Sequence, residues 1–209
     1  MTDPANRRPL ASRQTAWAAR LGTHAVQRGI TPNQISQASI GFATLGLLVY
    51  ALSPLSPGLV QGFLLFLAAA AIQARLVCNL IDGIVAVEGG QGTKDGPFWN
   101  EAPDRASDLL LLLGAGIAAG NPTLGAIAAA LAIATAYIRE LGRAEGFPPD
   151  FSGPMAKPQR MAALTIGTLS AAFYATEWTL TLTLWIIAAG TAATILLRAL
   201  QLIRALKAR

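Results

Sequence analysis

The sequence predicts an all-α integral membrane protein: six transmembrane helices preceded by an N-terminal amphipathic helix in the membrane interface. Composition is the first reason, since 53% of the 209 residues are hydrophobic and only 13% are charged, against about 25% charged residues in soluble domains. The second is the length of the apolar segments, because a helix needs roughly 17–25 residues to cross the hydrocarbon core. The third is the one-sided distribution of lysine and arginine among the loops.

Six segments reach or approach spanning length. They run over about 34–52, 59–80, 104–119, 123–138, 159–176 and 180–203. The third requires a helix that starts near Pro103, a residue suited to a first helical turn, because its unbroken apolar run begins only at Leu109. We therefore divide the chain into an N-terminal cytoplasmic, interfacial segment, 1–30, and a six-helix transmembrane domain, 31–209.

The stretch from about 10 to 29 mixes Trp17 and Leu21 with arginines. It is too polar to span and is typical of a helix lying on anionic lipid. Thr31 then predicts a helix start, because it can cap the helix while Gln34 completes a capping box.

Charge supports the even number of spans. The short loops near 53–58, 120–122 and 176–179 contain no lysine or arginine. The positive-inside rule then places both termini and the other loops in the cytoplasm, in a multi-pass protein of the plasma (inner) membrane. The net charge of +5 is explained by this topology and by contact with membrane lipids, so no nucleic acid partner is expected.

A polar cluster interrupts the apolar pattern at the end of the second span. Asn79 and Asp82 lie three residues apart and so share one helix face. Gly83 and Ala86 continue that face with little side-chain bulk. Carboxylates at the end of a membrane helix are costly unless they meet cations, water or each other.

A second polar face follows a glycine-rich loop. Asn100, Asp104 and Asp108 repeat every four residues. Taken singly, these residues also fit turns and helix starts, but the joint pattern favours a shared site. Oxygen donors of this kind suit magnesium, manganese or calcium rather than zinc.

The spacing of the two faces resembles the signature of the CDP-alcohol phosphotransferases. That signature is Asp, two residues, Asp-Gly, two residues, Ala-Arg, eight residues, Gly, three residues, Asp, three residues, Asp. Without a gap it meets Asn79, Asp82-Gly83, Ala86-Val87, Gly96, Asn100 and Asp104. Two aspartates are thus replaced by Asn79 and Asn100, and the arginine by Val87, so the chain resembles a divergent member.

The resemblance implies a metal site. Family members use four aspartates to hold two divalent ions beneath the diphosphate of a CDP-linked lipid, and the last aspartate deprotonates the acceptor alcohol. Asp82 is then a metal ligand, and Asp104 is a ligand and the candidate base. Asn79 and Asn100 still offer oxygens, so one or two Mg²⁺ or Mn²⁺ ions are expected. Asp108 could restore a charge as a further ligand or catalytic group; in a shifted register, ranked second, Asp104 and Asp108 form the last pair.

The resemblance also implies the surroundings of the site. The nucleotide is expected against Asp82, Gly83, Ala86 and Gly96, with Arg75 and Lys94 supplying positive charge. Arg105, Lys157 and Arg160 are expected to bind the acceptor, although Lys157 and Arg160 fit equally well as cytoplasmic topology anchors.

The implied activity is a step of phospholipid biosynthesis. A phosphatidyl group passes from a CDP-lipid such as CDP-diacylglycerol to a small alcohol, which could be a phosphorylated polyol, with release of CMP. A homodimer is also implied. The alternatives are a non-catalytic descendant that binds nucleotide or lipid, and a small membrane transporter or scaffold.

Overall fold

A computed structural model describes residues 15–87, 89–90 and 93–209 of the chain, and within these ranges all regular structure is helical. The helices are α1 (Ala16–Gln27), α2 (Pro32–Leu52), α3 (Leu59–Val87), α4 (Gly96–Ala118), α5 (Pro122–Ala144), α6 (Lys157–Ala171) and α7 (Thr176–Lys207), with a 3₁₀ turn at Ser53–Leu55. Residues 1–14, the first part of the predicted interfacial segment 1–30, lie outside the described residues, as do positions 88, 91 and 92.

The capping box predicted at the start of α2 is confirmed. The backbone N–H of Gln34 donates to the Thr31 hydroxyl at 3.3 Å, and the backbone N–H of Thr31 donates to the Gln34 amide oxygen at 2.9 Å. Asn121 caps α5 in a similar way, accepting from Leu124 N–H at 3.0 Å. Both helices carry proline in the first turn, where no backbone donor is needed.

Two helices near the polar cluster differ from the predicted spans. Helix α3 continues to Val87 rather than 80, and α4 begins at Gly96 rather than near Pro103. Pro103 therefore lies inside α4 instead of in its first turn. The apolar pattern marks only the lipid-depth part of each helix, whereas the polar turns are held by contacts between the helices.

The helices pack around a core of small and branched apolar side chains. Helix α2 lies against α3 and α4, α4 against α5, and α7 against α5 and α6. Helices α4 and α5 approach closely at two glycines: a Cβ built on Gly125 would lie 2.9 Å from the Cα of Gly116 and 2.6 Å from the carbonyl oxygen of Leu112.

Four of the described helical segments are long and apolar enough to cross a membrane. They are Pro32–Leu55, Leu59–Val87, Pro122–Ala144 and Thr176–Lys207. Helix α4 falls outside this set because its first half carries the charged residues of the cluster. Helix α6 has only 15 residues, about 22 Å at 1.5 Å per residue, and it ends at Ala171 rather than at the predicted 176.

Helix α1 packs on the C-terminal half of α3 through small residues. Ala18 and Gly22 are buried against Leu80 and Ile84, and a Cβ on Gly22 would come within 2.6 Å of the Ile84 side chain. Its large apolar residue Trp17 is exposed. The placement of this helix in the membrane interface remains a prediction.

Candidate active site

Asp104 is the centre of the polar cluster. Its carboxylate accepts hydrogen bonds from the Asn79 amide on α3 and from the Lys157 ammonium at the start of α6. Arg75 Nη2 lies 3.3 Å from Oδ1, and Arg105 Nη2 lies 3.5 Å from Oδ2. Helices α3, α4 and α6 therefore meet at this carboxylate, which keeps 15% of its side chain exposed.

Asp108 lies one turn deeper and is closed off. Its side chain is 1% exposed, with Arg75 Nη2 2.8 Å from Oδ1 and Arg160 Nη2 2.7 Å from Oδ2. Both arginines are also buried. A buried carboxylate with each oxygen paired to an arginine is a structural link between helices, and it has no open face toward a substrate.

Asp82 faces α2 as well as the cluster. Its Oδ2 accepts a hydrogen bond from the Ser36 hydroxyl at 2.8 Å. It follows Asn79 by three residues on α3. The contact between Asn79 and Asp104 brings the two predicted polar faces together.

Other predicted residues lie at the rim or outside it. Asn100 is exposed and donates to the neighbouring Glu101 carboxylate at 3.4 Å. Lys94 is exposed in the turn before α4, and Gly96 is the first residue of that helix. Gly83 and Ala86 are half-buried in the last two turns of α3.

Asp95 anchors the start of α4 to α2. Its carboxylate accepts from the Trp99 indole at 2.9 Å and from the Asn33 amide at 3.2 Å. A hydrogen bond from the Thr93 side chain, then one from the backbone at Asp95 and those from Trp99 and Asn33, hold the pKa of Asp95 below its ordinary value. The carboxylate therefore stays ionised and keeps the rim of the cluster in place.

Sequence reasoning missed three contributors. Ser36 gives no local signal, because a serine inside an apolar span usually bonds its own helix. Arg139 pairs with Glu101 at 2.5 Å and so ties α5 to α4.

Arg198 is buried on α7, donating to the carbonyl oxygens of Ser152 at 2.9 Å and Thr135 at 3.0 Å. Its position inside the predicted span 180–203 could have identified it, since charged residues within membrane helices are rare and usually functional.

A pocket of about 270 Å³ lies beside these arginines rather than at Asp104. It is lined by Arg139, Phe147, Asp150, Arg198, Gln201 and Leu202, among others. The Asp104 cluster is the better candidate for the reaction centre, because no residue of the CDP-alcohol phosphotransferase motif lines this pocket. Its lining includes Asp150 as well as the two arginines, so it carries charges of both signs.

The donors of the cluster suit one hard divalent ion. Asp82 and Asp104 supply carboxylates from two helices, and the Asn79 amide touches Asp104. Magnesium is commonly held by one or two carboxylates together with substrate phosphates. Among the described residues, no three His, Cys, Asp or Glu side chains form a ready-made metal site.

Comparison with known proteins gives one relative in sequence. The phosphatidylinositol phosphate synthase of Mycolicibacterium smegmatis is 26% identical over 184 residues, covering 83% of this chain and 78% of that protein. No protein-family model matches the chain.

Solved structures establish the fold. Crystal structures of the Mycobacterium tuberculosis phosphatidylinositol phosphate synthase superpose with TM-scores of 0.74 for the complex with manganese and citrate and 0.74 for the form with CDP-DAG bound. The identities are 19% and 20%, and the alignments cover 88% and 90% of this chain and 88% and 94% of those chains. The apo form gives a TM-score of 0.69 at 21% identity.

The class follows from these likenesses. The chain has the fold of the CDP-alcohol phosphotransferases, and the resemblance predicted from its motif is confirmed. Within that class, the relatives found in sequence and in structure are phosphatidylinositol phosphate synthases. The roles of individual site residues remain predictions.

Proposed function

We propose that this chain transfers a phosphatidyl group from a CDP-linked lipid, such as CDP-diacylglycerol, to an alcohol with release of CMP. The observation that carries the proposal is the meeting of Asn79 and Asp104 across α3 and α4, at the motif positions of a CDP-alcohol phosphotransferase fold. The relative's name, phosphatidylinositol phosphate synthase, supports the same reaction class.

Asp104 is the proposed general base. Of the two aspartates on α4, Asp104 is 15% exposed and Asp108 only 1%. Asp104 also contacts Lys157, which is proposed to bind the acceptor. Asp82, Asp104, Asn79 and Asn100 are the proposed holders of Mg²⁺ or Mn²⁺. When bound, the ion would neutralise charge developing on the diphosphate. Gly83, Ala86 and Gly96 leave room for the nucleotide beside the backbone.

The proposed acceptor carries an anionic group. Lys157 and Arg105 each keep 21% of the side chain exposed at the Asp104 cluster. Arg160, by contrast, is buried against Asp108. A phosphorylated polyol fits this arrangement, with its phosphate on Lys157 and Arg105 and its hydroxyl at Asp104. Arg160 contributes positive charge from its buried position beside Asp108.

Six membrane crossings remain the proposed topology, with both termini and the site on the cytoplasmic side. Helix α6 supports it, because Lys157 at one end contacts Asp104 while Thr168 near the other end hydrogen-bonds Tyr50 at the far end of α2. Helix α4 similarly runs from Asp104 to the turn before α5. Helices α4 and α6 thus extend between the two ends of the bundle. A homodimer in the plasma membrane is proposed from the resemblance.

The test is CMP release by purified protein in lipid nanodiscs. CDP-diacylglycerol and Mg²⁺ or Mn²⁺ are supplied with a panel of alcohols that pairs each polyol with its phosphate, including inositol and inositol phosphate. We expect CMP only when lipid, ion and alcohol are all present, with faster release for the phosphorylated member of a pair. No CMP across the panel, beside an active phosphatidylinositol phosphate synthase, contradicts the proposal.

A further inference from the structure

The acidic side chains of the Asp104 cluster are already balanced by basic ones. The acids are Asp82, Asp104, Asp108 and Glu101, which pairs with Arg105 at 3.5 Å, and the bases are Arg75, Arg105, Lys157 and Arg160. Four negative charges thus meet four positive ones, so the cluster has no net negative charge to attract a metal ion. Each divalent ion that binds adds two further positive charges to a partly buried space, where like charges repel strongly.

Arg75 is the most deeply placed of these bases. Its side chain has no exposed area and bridges Asp104 Oδ1 at 3.3 Å and Asp108 Oδ1 at 2.8 Å. Its Nε and Nη1 atoms have no hydrogen-bond partner among the described residues. A guanidinium does not lose its proton in proteins, so this positive charge is permanent.

Both oxygens of Asp104 are already engaged by donors. Oδ1 accepts from Arg75 and the Asn79 amide, and Oδ2 from Lys157. A first ion can take one of these oxygens together with Asp82, once the diphosphate brings its own negative charge. A second ion needs the remaining oxygen beside the Arg75 guanidinium, and Asn79 contributes no charge to hold it there.

We propose, as a refinement that rests on the proposed function, that this site holds a single divalent ion and that the Arg75 guanidinium supplies the second positive charge. Asp108 is then a positioning residue that fixes Arg75 against Asp104. The diphosphate of the lipid then meets one exchangeable cation, while the buried Arg75 on α3 acts through the Asp104 carboxylate that it contacts.

Manganese counting tests this proposal directly. The full chain in nanodiscs is equilibrated with Mn²⁺ and CDP, a soluble nucleoside diphosphate; bound Mn²⁺ per chain is determined by dialysis and metal analysis, with a blank of Mn²⁺ and CDP alone. Electron paramagnetic resonance adds a second readout, because an isolated Mn²⁺ gives a six-line spectrum whereas two ions sharing a carboxylate are exchange-coupled. One ion with a six-line spectrum is expected; two coupled ions, or none, overturn the proposal.

Restoring the charges should create the second site. The double variant Asn79→Asp/Asn100→Asp is expected to bind two ions with a coupled spectrum. Asn121→Asp is the control for added negative charge, because it places one carboxylate at the far end of α4 and α5 and keeps a side-chain cap for α5; it should still bind one ion. A double variant that still binds one ion overturns the assignment.

Arg75 is tested by removing its charge. Arg75→Gln should bind Mn²⁺ about tenfold more tightly, since a metal-repelling charge beside Asp104 is lost, whereas Arg75→Lys should match the unchanged protein. Unchanged affinity in folded Arg75→Gln overturns the role. If Arg75→Gln does not fold, Arg75→Lys decides, because a second ion in a variant that keeps the charge contradicts the proposal.

CMP release measured on the same samples separates this inference from the proposed function. One bound ion without CMP for any alcohol leaves the single-ion site standing and removes the transferase activity. Two coupled ions with CMP release do the reverse.

Discussion

Asp104 and Asp108 are one helical turn apart, yet their surroundings differ in kind. Asp104 is 15% exposed and contacts a lysine at the start of another helix, while Asp108 is 1% exposed between two buried arginines. Proton transfer requires a group that reaches the substrate hydroxyl. Asp104 has exposed area by which a hydroxyl could approach, whereas Asp108 is enclosed by Arg75 and Arg160.

Asp104→Asn should lower the rate of CMP release by at least about 100-fold, the lower range for loss of a general base. The asparagine keeps the shape but can accept from only one of Lys157 and Asn79, so the thermal unfolding midpoint should fall, though less than for a fully buried aspartate because Asp104 is 15% exposed. Glu177→Gln, near the opposite end of the bundle, is the control and should retain full activity. Retained activity in Asp104→Asn, with loss in folded Asp108→Asn, points to the shifted register of the motif.

Asp108→Asn should instead act on stability. Removing one partner of a buried charge cluster leaves uncompensated charge, at a cost of about 3–5 kcal/mol, here on Arg75 and Arg160. Thermal unfolding in detergent measures this as a clearly lowered midpoint compared with Asp104→Asn. Equal midpoints for the two variants contradict the structural role of Asp108.

At the scale of the helices, two glycines allow the backbones of α4 and α5 to pack in direct contact. Gly116 and Gly125 face each other, with less space between their backbones than a methyl group needs. Close approach through small residues gives membrane helices the packing contacts that lipid does not provide. The position of α5 in turn fixes Arg139 beside Glu101.

Gly125→Ala should therefore weaken the protein by about 1–3 kcal/mol, the usual cost of overpacking. The added Cβ meets the Leu112 carbonyl oxygen at 2.6 Å, and backbone cannot move aside as a side chain can. Gly41→Ala is the matched control, because its Cβ meets nothing within 4 Å on α2, so its unfolding midpoint should hold or rise. A midpoint for Gly125→Ala equal to that of Gly41→Ala argues against this packing.

The same scale shows which features the sequence could predict. The capping box at Thr31 was predictable because all its partners lie within four residues. The facing of Asn79 and Asp104 was predictable only through a long-range motif. The Arg75–Asp108–Arg160 link was not, because its members lie on three helices and no local spacing relates them. Helix ends near the cluster were misjudged for the same reason: side chains from other helices stabilise them.

For the whole molecule, the proposed topology makes a labelling prediction. In a Cys78→Ala background, Ser56→Cys should react with a membrane-impermeant thiol reagent applied to intact cells, because its loop lies on the outer side. Glu145→Cys, after α5, should react only once the cells are permeabilised. Labelling of Glu145→Cys in intact cells contradicts the cytoplasmic placement of the site.

The ion pair between Asp108 and Arg160 has a consequence for how the chain enters its membrane. The pair joins α4 and α6, which are not among the four described segments long and apolar enough to cross a membrane. The charge of Asp108 on α4, like that of Arg160 on α6, costs free energy in lipid until its partner helix is present. Arg75 on α3 can shelter Asp108 first, but the final neutralisation waits until about fifty further residues have left the ribosome. During biogenesis, α4 is therefore expected to be incompletely inserted until α6 has been synthesised. The charges that build the site thus also determine when the helix bundle assembles.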